Sequence, residues 1–160
     1  MPGLRADQCY QVCKSVNLEP VLSILGRLRY SIVNKGSTNV YKTPSRVVLP
    51  TDFPAELNQL IADLELGGKV GRHMIRELAP RQSIAVHIDD WMPAEADWRR
   101  FQVPITSHPD IVMRWPNDGV SVHLAPGWLY EVRFDRPHEV IHGADCSRLH
   151  LQIDQIDSTL

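Results

Sequence analysis

The residues best equipped for chemistry are His87 and Asp89, the histidines of the run His138-Glu139-Val140-Ile141-His142, and Arg148, ten positions beyond His138. Two imidazoles and one carboxylate are the donor set of a facial triad. Such a triad holds a non-haem Fe(II) on one face and leaves the opposite positions open for a cosubstrate and O2. In a strand, alternate side chains point to the same side, so His87 and Asp89 reach one metal while Ile88 faces away. The third ligand has to come from a neighbouring strand, and the run 138–142 supplies candidates in His138 and His142.

The elements that must position these residues are legible from the hydrophobic pattern. Residues 5–16 carry Cys9, Val12, Cys13 and Val16 at helical spacing. Residues 20–29 follow with Val21, Ile24, Leu25 and Leu28 behind Pro20, so two short helices are expected. A polar stretch from Tyr30 to Tyr41 reads as a loop or hairpin, Arg46-Val47-Val48-Leu49 as a short strand. Asp52-Phe53-Pro54 then opens a helix through Leu64, with Leu57, Leu60, Ile61 and Leu64 as its buried stripe and Gly67-Gly68 as its stop.

After Lys69 the period changes. Apolar-alternating runs are expected as strands at 70–78, 83–87, 101–106, 111–115, 120–124, 128–134, 139–142 and 149–153, separated by Pro, Gly, Asn and Asp. About eight strands behind a helical N-terminal third predict a mainly β protein: a double-stranded β-helix, that is a cupin-like jelly-roll barrel, with helices on one outer face. The expected organisation is a single domain over 1–160. Residues 1–68 would form a mostly helical support region and 69–157 the barrel core that carries the site.

Bulk properties limit the function classes. The 160 residues suffice for one domain with its own core. An apolar fraction of 43%, a charged fraction of 22% and a formal net charge of −2 argue against a basic nucleic-acid footprint. No apolar run reaches the roughly 20 residues of a membrane helix, and the N-terminus lacks a signal-peptide core, so a cytoplasmic protein without membrane partners is expected. Cys9, Cys13 and Cys146 are odd in number and give neither a disulfide framework nor a zinc set, which leaves them packing roles.

The order of several segments resembles a known family. Leu78-Ala79-Pro80, Ser83 through Asp89, Arg100 through Pro109, Gly127-Trp128-Leu129-Tyr130, His138-Glu139-Val140 and Arg148-Leu149-His150-Leu151 follow the order seen in the aspartyl/asparaginyl β-hydroxylase-like family. That family belongs to the Fe(II)- and 2-oxoglutarate-dependent oxygenases, and the resemblance covers roughly residues 70–154. It implies that His87, Asp89 and His138 bind iron. It further implies that Arg148 pairs with the distal carboxylate of 2-oxoglutarate, through the planar fork that suits a carboxylate. Arg100 would contact the cosubstrate or an acidic substrate group. The implied reaction is hydroxylation of a C–H bond in an amino acid, a peptide side chain or a small metabolite, with release of succinate and CO2.

Departures from the family pattern fall on the substrate side. Gln102 stands where many members have histidine, and His142 where asparagine is frequent. The interval to Arg148 favours His138 over His142 as the third ligand. His150 shares a strand face with Arg148, which makes it a neighbour of the ligands or a hydrogen-bonded core histidine. Trp91, Trp98, Trp115 and Trp128 read as packing residues, with Trp115 among the candidates for the barrel mouth. His73, His108 and His123 have no partner pattern. Two other readings are a β-barrel protein that binds a metal or ligand without catalysis, and a cupin-type metalloenzyme that does not use 2-oxoglutarate.

Overall fold

The computed structural model describes residues 2–30, 33–35, 45–89 and 97–156. Its strands are β1 (Tyr10–Ser15), β2 (Val33–Lys35), β3 (Ser45–Val48), β4 (Lys69–Leu78), β5 (Ile84–His87), β6 (Trp98–Thr106), β7 (Ile111–Trp115), β8 (Val120–Val122), β9 (Trp128–Val132), β10 (His138–His142) and β11 (Arg148–Ile156). Three α-helices, α1 (Glu19–Leu22), α2 (Leu25–Tyr30) and α3 (Ala55–Asp63), all precede β4.

Two antiparallel sheets result. The larger runs β1-β9-β6-β11-β4-β3-β2 and the smaller β5-β10-β7-β8. From β4 onward the chain changes sheet at every step except the β7–β8 hairpin, which is the winding of a jelly roll. That hairpin turns through Pro116–Asp118 into Gly119, whose φ of 66° is a left-handed conformation suited to glycine. All eight strands expected after Lys69 are present within a few residues of their expected bounds.

The N-terminal region differs from expectation. Residues 10–15 form a strand, not a helix, and β1 pairs antiparallel with β9, with a register shift between Val12 and Lys14. The reason lies in the spacing itself: residues four apart share a face on a strand as well as on a helix, so Cys9/Cys13 and Val12/Val16 do not discriminate. Thus the first 68 residues supply strands β1, β2 and β3 to the large sheet in addition to the helices. Helix α3 buries Leu57 and Leu60 as expected. The first left-handed residue after it is Glu65, at φ 50°, ahead of Gly67 and Gly68. The segment 36–44, which holds half of the expected loop, and the segment 90–96, which includes Asp90, Trp91 and Glu95, lie outside the described residues.

The large sheet has two chemically different faces. On β11, Leu149, Leu151 and Ile153 pack with Phe101, Val103 and Ile105 of β6 against α1, α2 and α3, in one cluster with Val21, Leu28, Leu57 and Leu60. The alternate residues Arg148, His150, Gln152 and Asp154 are equally buried but polar. Cross-strand register aligns Gln152 with Gln102 and Asp154 with Arg100 on β6, and His150 with Arg76 on β4. Period-two alternation therefore places an apolar layer under the helices and a polar layer inside the barrel.

Candidate metal centre and the pocket behind it

Strand β5 ends at His87 where β10 begins at His138, and the two are direct cross-strand partners. Their ring centroids lie 4.3 Å apart. Asp89 follows two residues after His87, and its backbone N–H donates to the Phe134 carbonyl at 3.2 Å, which holds this stretch beside the approach to β10. One carboxylate oxygen of Asp89 is 3.7 Å from His87 Nε2 and the other 3.7 Å from His138 Nε2. All three donor atoms fall within 4.8 Å of one another.

Backbone carbonyls orient both imidazoles. His87 Nδ1 is 2.8 Å from Ala85 O, and His138 Nδ1 is 2.8 Å from Arg136 O. A carbonyl only accepts, so Nδ1 carries the proton in each ring and the Nε2 lone pair is left for a metal. Burial, ahead of every other influence, holds the His138 imidazole below its ordinary value and favours the neutral form a metal requires. For Asp89, burial pushes the carboxyl upward. The charge of Arg100 leads the influences that overcome it and hold Asp89 below its ordinary value. Metal bonds of ~2.0–2.2 Å suit donors at these separations, so the residues fit a divalent ion.

Arg100 lies between the carboxylates of Asp89 and Asp154. Its Nε donates to Asp154 Oδ1 at 2.6 Å and its Nη2 to Asp154 Oδ2 at 3.1 Å. Its Nη1 donates to Asp89 Oδ2. Its guanidinium also lies 5.0 Å over the Phe134 ring, and its bond to Asp89 braces that carboxylate. Asp154 is the residue that sequence reasoning missed here. The polar alternation of Arg148, His150, Gln152 and Asp154 against Leu149, Leu151 and Ile153 carried the signal.

Arg148 opens β11 at the far end of the polar layer. Its Nη2 is 2.8 Å from His150 Nδ1, while Nη1 is buried without a hydrogen-bond partner among the described residues. Burial, and after it the positive charge of Arg76, pull the Arg148 guanidinium down to about 9. An uncompensated cation in a dry site calls for an anion. Gln102 Oε1 lies 2.9 Å from the same Nδ1, and His150 Nε2 is buried without a hydrogen-bond partner among the described residues. Arg148 and His150 form the polar end of a narrow cleft, about 10 Å³ in volume, walled by Ile111, Met113, Leu124 and Val140.

The remaining candidates are elsewhere. His142, at the far end of β10 from His138, is buried next to Arg148, and its Nδ1 accepts from the Ala144 N–H at 3.4 Å. Trp115 is fully buried, stacks on Tyr10 at 6.2 Å and donates from Nε1 to Arg133 O at 2.9 Å, so it packs the core and does not line the mouth. His73 is edge-on to Phe53, and His123 Nδ1 is 3.0 Å from Ile111 O. His108 lies near Asp110 on the surface.

No protein-family model matches the chain, and no curated protein matches its sequence. Solved structures do match in fold. The viral collagen prolyl hydroxylase of Paramecium bursaria Chlorella virus-1, in a 2-oxoglutarate complex, aligns with a TM-score of 0.62 at 7% identity, over 94% of this chain and 97% of that one. A prolyl-4-hydroxylase of Pseudomonas putida gives 0.61 at 15% identity, over 93% and 92%. SnoN, a non-haem α-ketoglutarate-dependent epimerase of nogalamycin biosynthesis, gives 0.69 at 16% identity, over 96% and 78%. The jelly-roll fold is shared with these three structures. Among the described residues no helix is long and apolar enough to cross a membrane.

Proposed function

We propose that this chain is an Fe(II)- and 2-oxoglutarate-dependent oxygenase of the aspartyl/asparaginyl β-hydroxylase-like kind. Its substrate would be an amino acid, a peptide side chain or a small metabolite, hydroxylated at a C–H bond. The observation that carries the reading is the pairing, inside one jelly roll, of a His-Asp-His cluster with a buried arginine that has no anionic partner among the described residues. A binding barrel has little use for that pair. Likewise, a cupin-type enzyme without 2-oxoglutarate leaves Arg148 unexplained. The folding of β1 and β3 into the same sheet as the site supports a single domain over the whole chain.

In this reading His87, Asp89 and His138 hold the iron. When bound, iron with 2-oxoglutarate and O2 supplies the oxidising chemistry, yielding succinate, CO2 and a hydroxylated product. The chain's own residues position and shield. Arg100, fixed by Asp154, holds Asp89 in place. Arg148 neutralises the distal carboxylate of the cosubstrate, and Ile111, Met113, Leu124 and Val140 keep water from its carbon chain.

Succinate formation from 2-oxoglutarate under air, with a panel of amino acids and peptides, tests the proposal. Turnover should require added Fe(II) and vanish in His138→Ala. Turnover that survives in His138→Ala would remove the triad from the reaction.

A further inference from the structure

Arg76 is a half-buried cation that the proposed reaction does not use. It lies on β4 in direct register with His150, and its neighbour across the diagonal is Arg148, a geometry that sets side-chain origins ~7–8 Å apart. Its even-numbered position puts it on the barrel-facing side, as β4 alternates Met74, Arg76 and Leu78 against Ile75 of the helix-facing core. Its Nε is buried without a partner among the described residues.

Charge bookkeeping in the polar layer is uneven. Of the two carboxylates there, Asp154 and Asp89, both are hydrogen-bonded by Arg100. They act on Arg76 through charge alone, against the repulsion of Arg100 and Arg72. Among the described residues Arg148 receives no carboxylate, and the charge acting on it is that of Arg76. Arg148 is buried and Arg76 half-buried on the adjacent strand, and neither is hydrogen-bonded to an acid among the described residues, a cost that one anion serving both would offset. Three orphan nitrogens come from neighbouring positions: Arg76 Nε, Arg148 Nη1 and His150 Nε2. A carboxylate, with two oxygens and about four acceptor sites, matches such a set.

We infer that Arg76 is a second cationic anchor for the distal carboxylate of the cosubstrate, which it shares with Arg148 and His150. This rests on the reading of Arg148 as the cosubstrate anchor. Its consequence is a pocket selective for dicarboxylic keto acids over monocarboxylic ones by more than a single arginine provides.

Calorimetric titration of the Mn(II)-loaded protein with 2-oxoglutarate, and separately with 2-oxobutyrate, which lacks the distal carboxylate, tests the inference without turnover. Arg76→Met should weaken 2-oxoglutarate by about 10- to 100-fold, the loss of a hydrogen bond to a charged group, and leave 2-oxobutyrate at the wild-type level. Arg76→Lys should recover part of the loss. Unchanged 2-oxoglutarate affinity in Arg76→Met, beside a loss in Arg148→Met, would overturn the shared anchor alone. Equal weakening of both keto acids would also overturn it, since the effect would then not be at the distal carboxylate. Failure of the wild type to bind 2-oxoglutarate would overturn the underlying reading with it.

Discussion

The two faces of β11 are made from the same nine residues and are about equally buried, yet they do opposite work. Leu149, Leu151 and Ile153 lie under the helices with no polar atoms to satisfy. By contrast, Arg148, His150, Gln152 and Asp154 fill the barrel interior, where Arg148 Nη1 and His150 Nε2 remain orphaned. Burial of leucine and isoleucine stabilises the fold, by roughly 1.5–3 kcal/mol per side chain relative to exposure. Burial of a guanidinium without its anion costs stability and is kept for what it binds. One strand thus carries the fold on one side and the function on the other.

Substitutions should break the two faces apart. The largest effect is expected at the metal centre: His138→Ala removes one donor of three and should abolish stoichiometric Fe(II) binding, as read by anaerobic metal analysis, while the circular dichroism stays native. Next, Leu151→Ala on the helix-facing side should cost about 2–5 kcal/mol in chemical denaturation and leave the metal affinity of the folded protein unchanged. A matching drop in metal affinity would mean that the faces are coupled. Arg148→Met should act in the reverse sense, losing 2-oxoglutarate binding and raising the stability of the metal-free protein by about 1–4 kcal/mol, as apolar replacements of buried charge do. A destabilised Arg148→Met would show that the orphaned cation is not a cost. The smallest change, Asp154→Asn, loosens Arg100 and hence Asp89, and should weaken metal binding by about 10- to 100-fold without removing it.

Much of this contrast is visible in the sequence, and the part that is not has a physical cause. Strand alternation and turn residues after Lys69 mark all eight barrel strands, because period two and Gly/Pro punctuation are local properties. His87, Asp89 and His138 stand out by residue type, and β5–β10 pairing brings them together. The strand at 10–15 read as helix because a spacing of four fits both periods. Arg76 and Asp154 stayed hidden for another reason: their meaning depends on register, which aligns Arg76 with His150 and Asp154 with Arg100 across separate strands. The same dependence sets Arg100 between Asp89 and Asp154, and Trp115 in the core beside Tyr10.

The most direct test of the central claim is an anaerobic titration of the apo-protein with Fe(II) and then 2-oxoglutarate, followed by the broad visible charge-transfer band that keto-acid chelation of iron produces. The account predicts a saturable band in the wild type, none in His138→Ala, and one in Arg148→Met only at far higher 2-oxoglutarate. A protein that binds Fe(II) and shows no band at any 2-oxoglutarate concentration would contradict it.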